Sequence, residues 1–152
     1  MRHTMLPYSR QDINQSDIQS VVDVLKTDWL TTGPKVREFE SEFANIVGAT
    51  EAVAVSSGTA ALKVALRALS LNKGDEVIMP SFTIISCAIA IIEAGATPVL
   101  VDCEPETWTM DVEQVYRKIT PRTKAIMAVH IYGHSVNMDP LISLAKEQNL
   151  YV

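Results

Sequence analysis

The sequence predicts an α/β protein built on a largely parallel sheet with helices on both faces. Three observations lead there. From Val53 onward, short apolar, β-branched stretches alternate with segments whose apolar residues recur at helical spacing. The stretches 77–79 and 99–101 show no polar alternation, as strands buried on both faces require. Small or turn-forming residues mark most switches between strand and helix.

In order along the chain, Leu6-Pro7-Tyr8 reads as an extended entry. Asn14 or Ser16 caps a helix whose apolar face is Ile18, Val21, Val22 and Leu25. Residues 27–33 form a loop carrying Trp29 and Leu30, which pack over a neighbouring helix or, alternatively, a ligand or a second subunit. Gly33-Pro34 opens the next helix, with Val36, Phe39, Phe43, Ile46 and Val47 as its buried stripe and Gly48 as its end. Residues 52–55 read as a buried strand, and Leu62, Ala65, Leu66 and Leu69 as the face of the helix after it. Asn72-Lys73-Gly74-Asp75 is a turn before a second strand over 76–79. A helix over 83–93 stops at Gly95, and 98–102 is the third strand. Residues 104–107 form a loop, and Asp111 caps a helix carrying Val112, Val115, Tyr116 and Ile119. The fourth strand covers 125–129, Tyr132-Gly133-His134 turns the chain, and a helix covers 138–148. A fifth strand begins at Leu150, and a chain that stops inside a strand is expected to belong to a longer sheet.

The 152 residues suffice for one core, and with 47% apolar and 20% charged residues the composition is that of a soluble globular protein. A net charge of −5 argues against a nucleic-acid partner, which calls for a basic stripe. Cys87 and Cys103 lack CxxC spacing and read as reduced, buried thiols. The first residues lack the apolar core of a signal peptide, and the apolar helix around 84–92 is too short to span a bilayer. A cytoplasmic protein with no membrane partner is expected.

The chain is organised around Ser56-Ser57-Gly58-Thr59-Ala60-Ala61, where a strand gives way to a helix. Free N–H groups, the positive end of the helix dipole, a glycine and two hydroxyls suit a phosphate there. The same residues also make an ordinary helix cap with no ligand. Three further sets occupy the strand ends where α/β proteins place ligands: Pro80-Ser81-Phe82-Thr83, Asp102-Cys103, and His130-Ile131-Tyr132-Gly133. Asp102 reads either as a reacting carboxylate or as a loop anchor, and His130 as a base or as a hydrogen-bonded strand-end histidine. His3, His130 and His134 do not have metal-site spacing, and neither a nucleophile triad nor a GxGxxG fingerprint is present.

Six segments, in order, resemble the DegT-like sugar aminotransferases, which use pyridoxal phosphate. They are Leu30-Thr31-Thr32-Gly33-Pro34 with Val36 and Phe39-Glu40; Val55-Ser56-Ser57-Gly58-Thr59-Ala60-Ala61-Leu62; the run from Gly74 to Thr83; the run from Gly95 to Asp102; the run from Ile119 to Ile126; and Val129-His130-Ile131-Tyr132-Gly133. The finer likeness is to the perosamine synthases. The resemblance implies an aspartate-aminotransferase-like large domain, a three-layer α/β/α unit with a mostly parallel sheet, incomplete at its C-terminus here. It implies an N-terminal helix and active-site loop over 1–34 and the first part of the large domain over 35–152. It implies a homodimer acting on a nucleotide-linked keto sugar, such as GDP-4-keto-6-deoxymannose, with glutamate as amino donor. Ser57, Gly58 and Thr59 would hold the cofactor phosphate, Ile84 would cover the ring where relatives often place an aromatic, and Thr31 and His130 would meet substrate. The Schiff-base lysine and the acidic partner of the pyridine nitrogen would lie beyond residue 152, so no catalytic residue is expected within this chain. A related sugar dehydratase, a non-catalytic fragment and an independent phosphate-binding α/β domain are the competing readings.

Overall fold

The sheet is built around one fully buried strand. In the computed structural model, which describes residues 9–152, β1 (Glu76–Pro80) lies between β2 (Thr97–Val101) and β3 (Thr123–Ile126), and both pairings are parallel. His3 and the entry at 6–8 lie outside the described residues. The chain divides into two compact units, residues 1–54 and 55–152.

The second unit has two cores, one on each face of the sheet. Ile78 and Ile126 point to one face, where Val115 of α5 (Val112–Lys118) and Leu141 and Leu144 of α6 (Met138–Glu147) cover them. Val77, Met79 and Ala125 point to the other face, where Leu66 of α3 (Gly58–Ala68) and Cys87 and Ile91 of α4 (Ser86–Glu93) lie. Successive β1 side chains therefore serve opposite cores, the period-two geometry of a strand. This is the parallel sheet with helices on both faces that the alternation predicts.

The structure corrects the expectations for the strands. Residues 52–55 form no strand: Val53 is 74% exposed, and the Ala54 N–H donates to Glu40 Oε1 at 2.8 Å instead of to a neighbouring strand. Strand β2 is an edge strand with Leu100 52% exposed, because it has only β1 beside it. The fourth strand ends at Ile126, and the fifth is a single bridge from Tyr151 to Ala125 in parallel sense. That bridge is closed by Ile126 N–H to Tyr151 O at 2.8 Å and Tyr151 N–H to Lys124 O at 3.0 Å.

The first unit holds α1 (Gln15–Leu25) and α2 (Pro34–Val47). Asn14 caps α1 through a reciprocal box with Asp17, and Gly48 closes α2 in the left-handed conformation at φ 69°. The stripe on α2 is not buried: Val36, Phe39, Phe43, Ile46 and Val47 are all exposed, and only Ala44 is covered. Phe39 and Phe43 pack on each other at 5.9 Å instead. Among the described residues no helix is long and apolar enough to cross a membrane.

Candidate active site

The turn into α3 is shaped by its cap. Ser57 has extended backbone, and its Oγ accepts from the Ala60 N–H at 3.2 Å. An accepting hydroxyl keeps its own proton, so Ser57 can still donate outward. The first helical bond runs from Ala61 N–H to Ser57 O, which leaves the N–H groups of Gly58 and Thr59 without a helical acceptor. A Cβ placed on Gly58 would meet nothing within 4 Å, so the space at the turn is open. Open space, two backbone donors, a hydroxyl and a helix N-terminus fit a phosphate.

The hydroxyl of Thr59 points elsewhere. It donates to Ser86 Oγ at 3.2 Å and ties the first turn of α3 to the first turn of α4. Thr59 can therefore meet a phosphate through its N–H while its side chain fixes the neighbouring helix. Ser86 is a residue the sequence reading missed, because the pair is apart in sequence and only the packing of α3 on α4 joins it.

Residues 81–85 connect β1 to α4. The expected helix over 83–93 begins only at Ser86, so Thr83 and Ile84 belong to the connection. Thr83 Oγ1 lies 3.6 Å from Cys87 Sγ, and Ile84 is 65% exposed. Asp102 acts as a loop anchor here, its Oδ1 accepting from the Cys103 N–H at 2.9 Å. Cys87 is buried and Cys103 half-buried, both as free thiols.

His130 caps the one-turn helix 131–133 and is held by the chain beyond it, with Nδ1 accepting from the Val136 N–H at 3.1 Å. A nitrogen that accepts carries no proton, so the neutral ring bears its proton on Nε2. His130 also lines a cavity of about 400 Å³ that runs beside β3 between Leu62, Leu66, Met127 and Met138. Thr31 is exposed in the loop of the first unit. Among the described residues no cluster of His, Cys, Asp and Glu could hold a metal.

An aromatic group stands at the same edge of the sheet. Phe82 follows β1, Trp108 follows β2 and Tyr132 follows β3. The Phe82 ring is 5.6 Å from Trp108 and 6.4 Å from Tyr132, with the planes tilted by 53° and 57°. Trp108 and Tyr132 both have left-handed backbone, φ 60° and 52°, which costs an L-residue about 1–2 kcal/mol. The sequence signal was available, since each aromatic follows one strand, but Trp108 lies well inside the long loop after β2.

Residues 11–152 match the DegT/DnrJ/EryC1/StrS aminotransferase family. The spore coat polysaccharide biosynthesis protein SpsC of Bacillus subtilis is 46% identical over 99% of this chain and 39% of its own length. The GDP-perosamine synthase of Caulobacter vibrioides is 44% identical over 94% of this chain and 38% of its own. Among solved structures, the Escherichia coli GDP-4-keto-6-deoxy-D-mannose-3-dehydratase with bound hydrated pyridoxal phosphate superposes with a TM-score of 0.88 at 27% identity. It covers 95% of this chain, which covers 39% of it. The chain thus spans about two fifths of the length of the curated relatives it matches. The six motif segments and the parallel sheet with its open turn at Gly58 agree with that match, and this chain belongs to the DegT/DnrJ/EryC1/StrS aminotransferase family.

Proposed function

We propose that this chain is the N-terminal part of a pyridoxal-phosphate-dependent aminotransferase acting on a nucleotide-linked keto sugar. The observation that carries the reading is the open turn at Gly58, with its backbone donors and the Ser57 hydroxyl that caps it. Pyridoxal phosphate supplies an electron sink that lets an amino group pass between carbon skeletons. Ser57, Gly58 and Thr59 hold its phosphate, and Ser86 fixes the Thr59 rotamer. Ile84, exposed in the connection into α4, covers the ring by dispersion rather than by stacking. Thr31 and His130 reach substrate, His130 offering the Nε2–H that its bond to Val136 sets free.

The relatives named for GDP-linked sugars support a GDP-4-keto-6-deoxymannose-like substrate. The amino donor in this reading is glutamate. The working protein is a cytoplasmic homodimer. The lysine that binds the cofactor lies outside residues 1–152. In support, Lys63 is paired to Glu93 at 2.7 Å and Lys35 to Glu38, both engaged on helix surfaces. A sugar dehydratase is the second reading, favoured by the superposition on the Escherichia coli enzyme.

Borohydride reduction of the protein with pyridoxal phosphate, followed by peptide mapping, tests the lysine assignment. No adduct on a specific lysine of 1–152 is expected, and a stoichiometric adduct on Lys63 or Lys124 overturns it. Transfer of nitrogen from labelled glutamate to the keto sugar by the complete enzyme separates the two readings, since a dehydratase leaves no nitrogen on the product.

A further inference from the structure

We infer that Ser86 is a positioning residue that sets the ring-covering Ile84 at a fixed place relative to the turn holding the cofactor phosphate, an inference that rests on the cofactor reading proposed above. Two features meet at Ser86. Its Oγ accepts from Thr59 Oγ1 at 3.2 Å, which places the first turn of α4 against the first turn of α3. Ile84, two residues earlier, is already bound into the start of α4, since its carbonyl accepts from the Cys87 N–H at 3.1 Å. The path from the phosphate turn to Ile84 thus runs through one hydroxyl pair and one backbone bond.

The Ser86 hydroxyl serves α3 rather than its own helix. A serine at the start of a helix commonly caps a free N–H there. Here Ile85 holds the cap position with helical backbone, φ −55° and ψ −24°, and α4 has no side-chain cap. Nor is the hydroxyl pair what holds the two helices together. Leu66 of α3 packs with Cys87, Ala90 and Ile91 of α4 in the core, and Lys63 Nζ lies 2.7 Å from Glu93 Oε2 further along the same pair. Apolar contact fixes that the helices pack. A half-buried hydroxyl pair, with its narrow limits of distance and angle, fixes where their ends stand. Ile84 and Ile85 are exposed, so core packing does not place them. The connection is steadied from within by Thr83, whose Oγ1 lies 3.6 Å from Cys87 Sγ, and it is referred to the phosphate turn by Ser86.

The test titrates the complete protein with pyridoxal phosphate by absorbance, reads the induced circular dichroism of the bound ring, and uses inorganic phosphate as a competitor. In Ser86→Ala, affinity for pyridoxal phosphate should fall about fivefold and the ring dichroism should drop, as expected for one lost hydrogen bond. Inorganic phosphate should compete as it does in the parent, because the backbone donors of the turn are untouched. Ser86→Thr, which keeps the hydroxyl, should restore both readouts. Thr59→Val keeps its N–H and should match Ser86→Ala, and adding Ile84→Ala to Ser86→Ala should cost little further. Glu93→Gln, which breaks the other polar tie between α3 and α4, should change neither readout. Thermal melts confirm that each variant is folded, and Thr59→Val carries the comparison if Ser86→Ala is not. Unchanged affinity in folded Ser86→Ala, an equal loss in Glu93→Gln, a larger loss in Thr59→Val, or a full additional loss from Ile84→Ala overturns the positioning role. A parallel loss of inorganic phosphate binding in Ser86→Ala also overturns it, by showing that Ser86 serves the phosphate grip itself. A complete protein that takes up no pyridoxal phosphate overturns the cofactor reading and this role with it, whereas uptake that Ser86→Ala leaves unchanged overturns the role alone.

Discussion

Thr59 and Ser86 are joined by a hydroxyl bond of 3.2 Å between the first turns of α3 and α4, on the same face of the sheet. The Gly58 turn beside it tolerates a side chain sterically, since a Cβ there meets nothing. Gly58→Ala should therefore leave the fold intact, and a rise in stability of about 0.5–1 kcal/mol is expected from the lost chain entropy. Cofactor affinity should fall roughly tenfold, about 1.4 kcal/mol, because the methyl group intrudes on the donors of the turn. Thermal unfolding and an absorbance titration of pyridoxal phosphate measure the two effects separately. Unchanged affinity would remove this turn from the site.

Ile84 is exposed, so changing it should not disturb the core. Ile84→Phe should keep or tighten cofactor binding by adding a ring face, whereas Ile84→Asp should abolish it by placing a carboxylate against the ring. Equal binding by the aspartate variant would show that another group covers the cofactor.

Glu76 joins the opening of β1 to the loop before β3. Its carboxylate accepts from the Thr120 hydroxyl, from Arg122 Nε at 2.9 Å and from Arg122 Nη2, and its N–H donates to Arg122 O at 2.8 Å. The Thr120 hydrogen bond, aided by Arg122 and Thr123, lowers its pKa against the opposing effect of burial. A lowered folded pKa means that this stabilisation is complete above the unfolded value and fades as pH falls through the folded one. Glu76→Gln should cost about 2 kcal/mol at neutral pH, as lost charge-assisted hydrogen bonds do. The deficit should begin to shrink as pH falls below the ordinary glutamate pKa of about 4.3 and disappear once the native carboxyl, held lower, also protonates. Denaturant titrations of both proteins across that range decide it, and a deficit independent of pH would mean that packing, not charge, is lost.

The exposed stripe of α2 and the unpaired segment at Val53 predict self-association of the isolated 152-residue chain. Phe39→Ser with Phe43→Ser should raise the monomeric fraction several-fold in size-exclusion chromatography. A monodisperse parent chain with a cooperative melt would refute this.

Most of the helices were legible because their caps are local. Asn14, Pro34, Gly48, Ser57 and Asp111 each announce a boundary within a few residues. The strands were legible as apolar runs, but their burial was not. Leu100 reads like a core residue and is exposed, because strand order is a long-range property that no local pattern encodes. Val53 and Val55 likewise look buried and lack a partner strand. The capped turn at Ser57, Gly58 and Thr59 could be read from the sequence, whereas its tie to Ser86 and the grouping of Trp108 with Phe82 and Tyr132 needed the tertiary structure.

The central place of β1 also sets an order of assembly. Its pairing with β2 joins Glu76 to Thr97 across a single helix, while its pairing with β3 joins Glu76 to Thr123 across a second helix as well. The shorter closure loses less chain entropy, so β1, α4 and β2 should form the nucleus onto which β3 docks. Substitutions at the β1–β2 contact, such as Val101→Ala, should slow folding, whereas Ile126→Val on β3 should chiefly speed unfolding. The connection carrying Phe82 and Thr83 would then be in place before Tyr132 reaches it, and the edge where the three aromatic rings meet would be the last part of the sheet to mature.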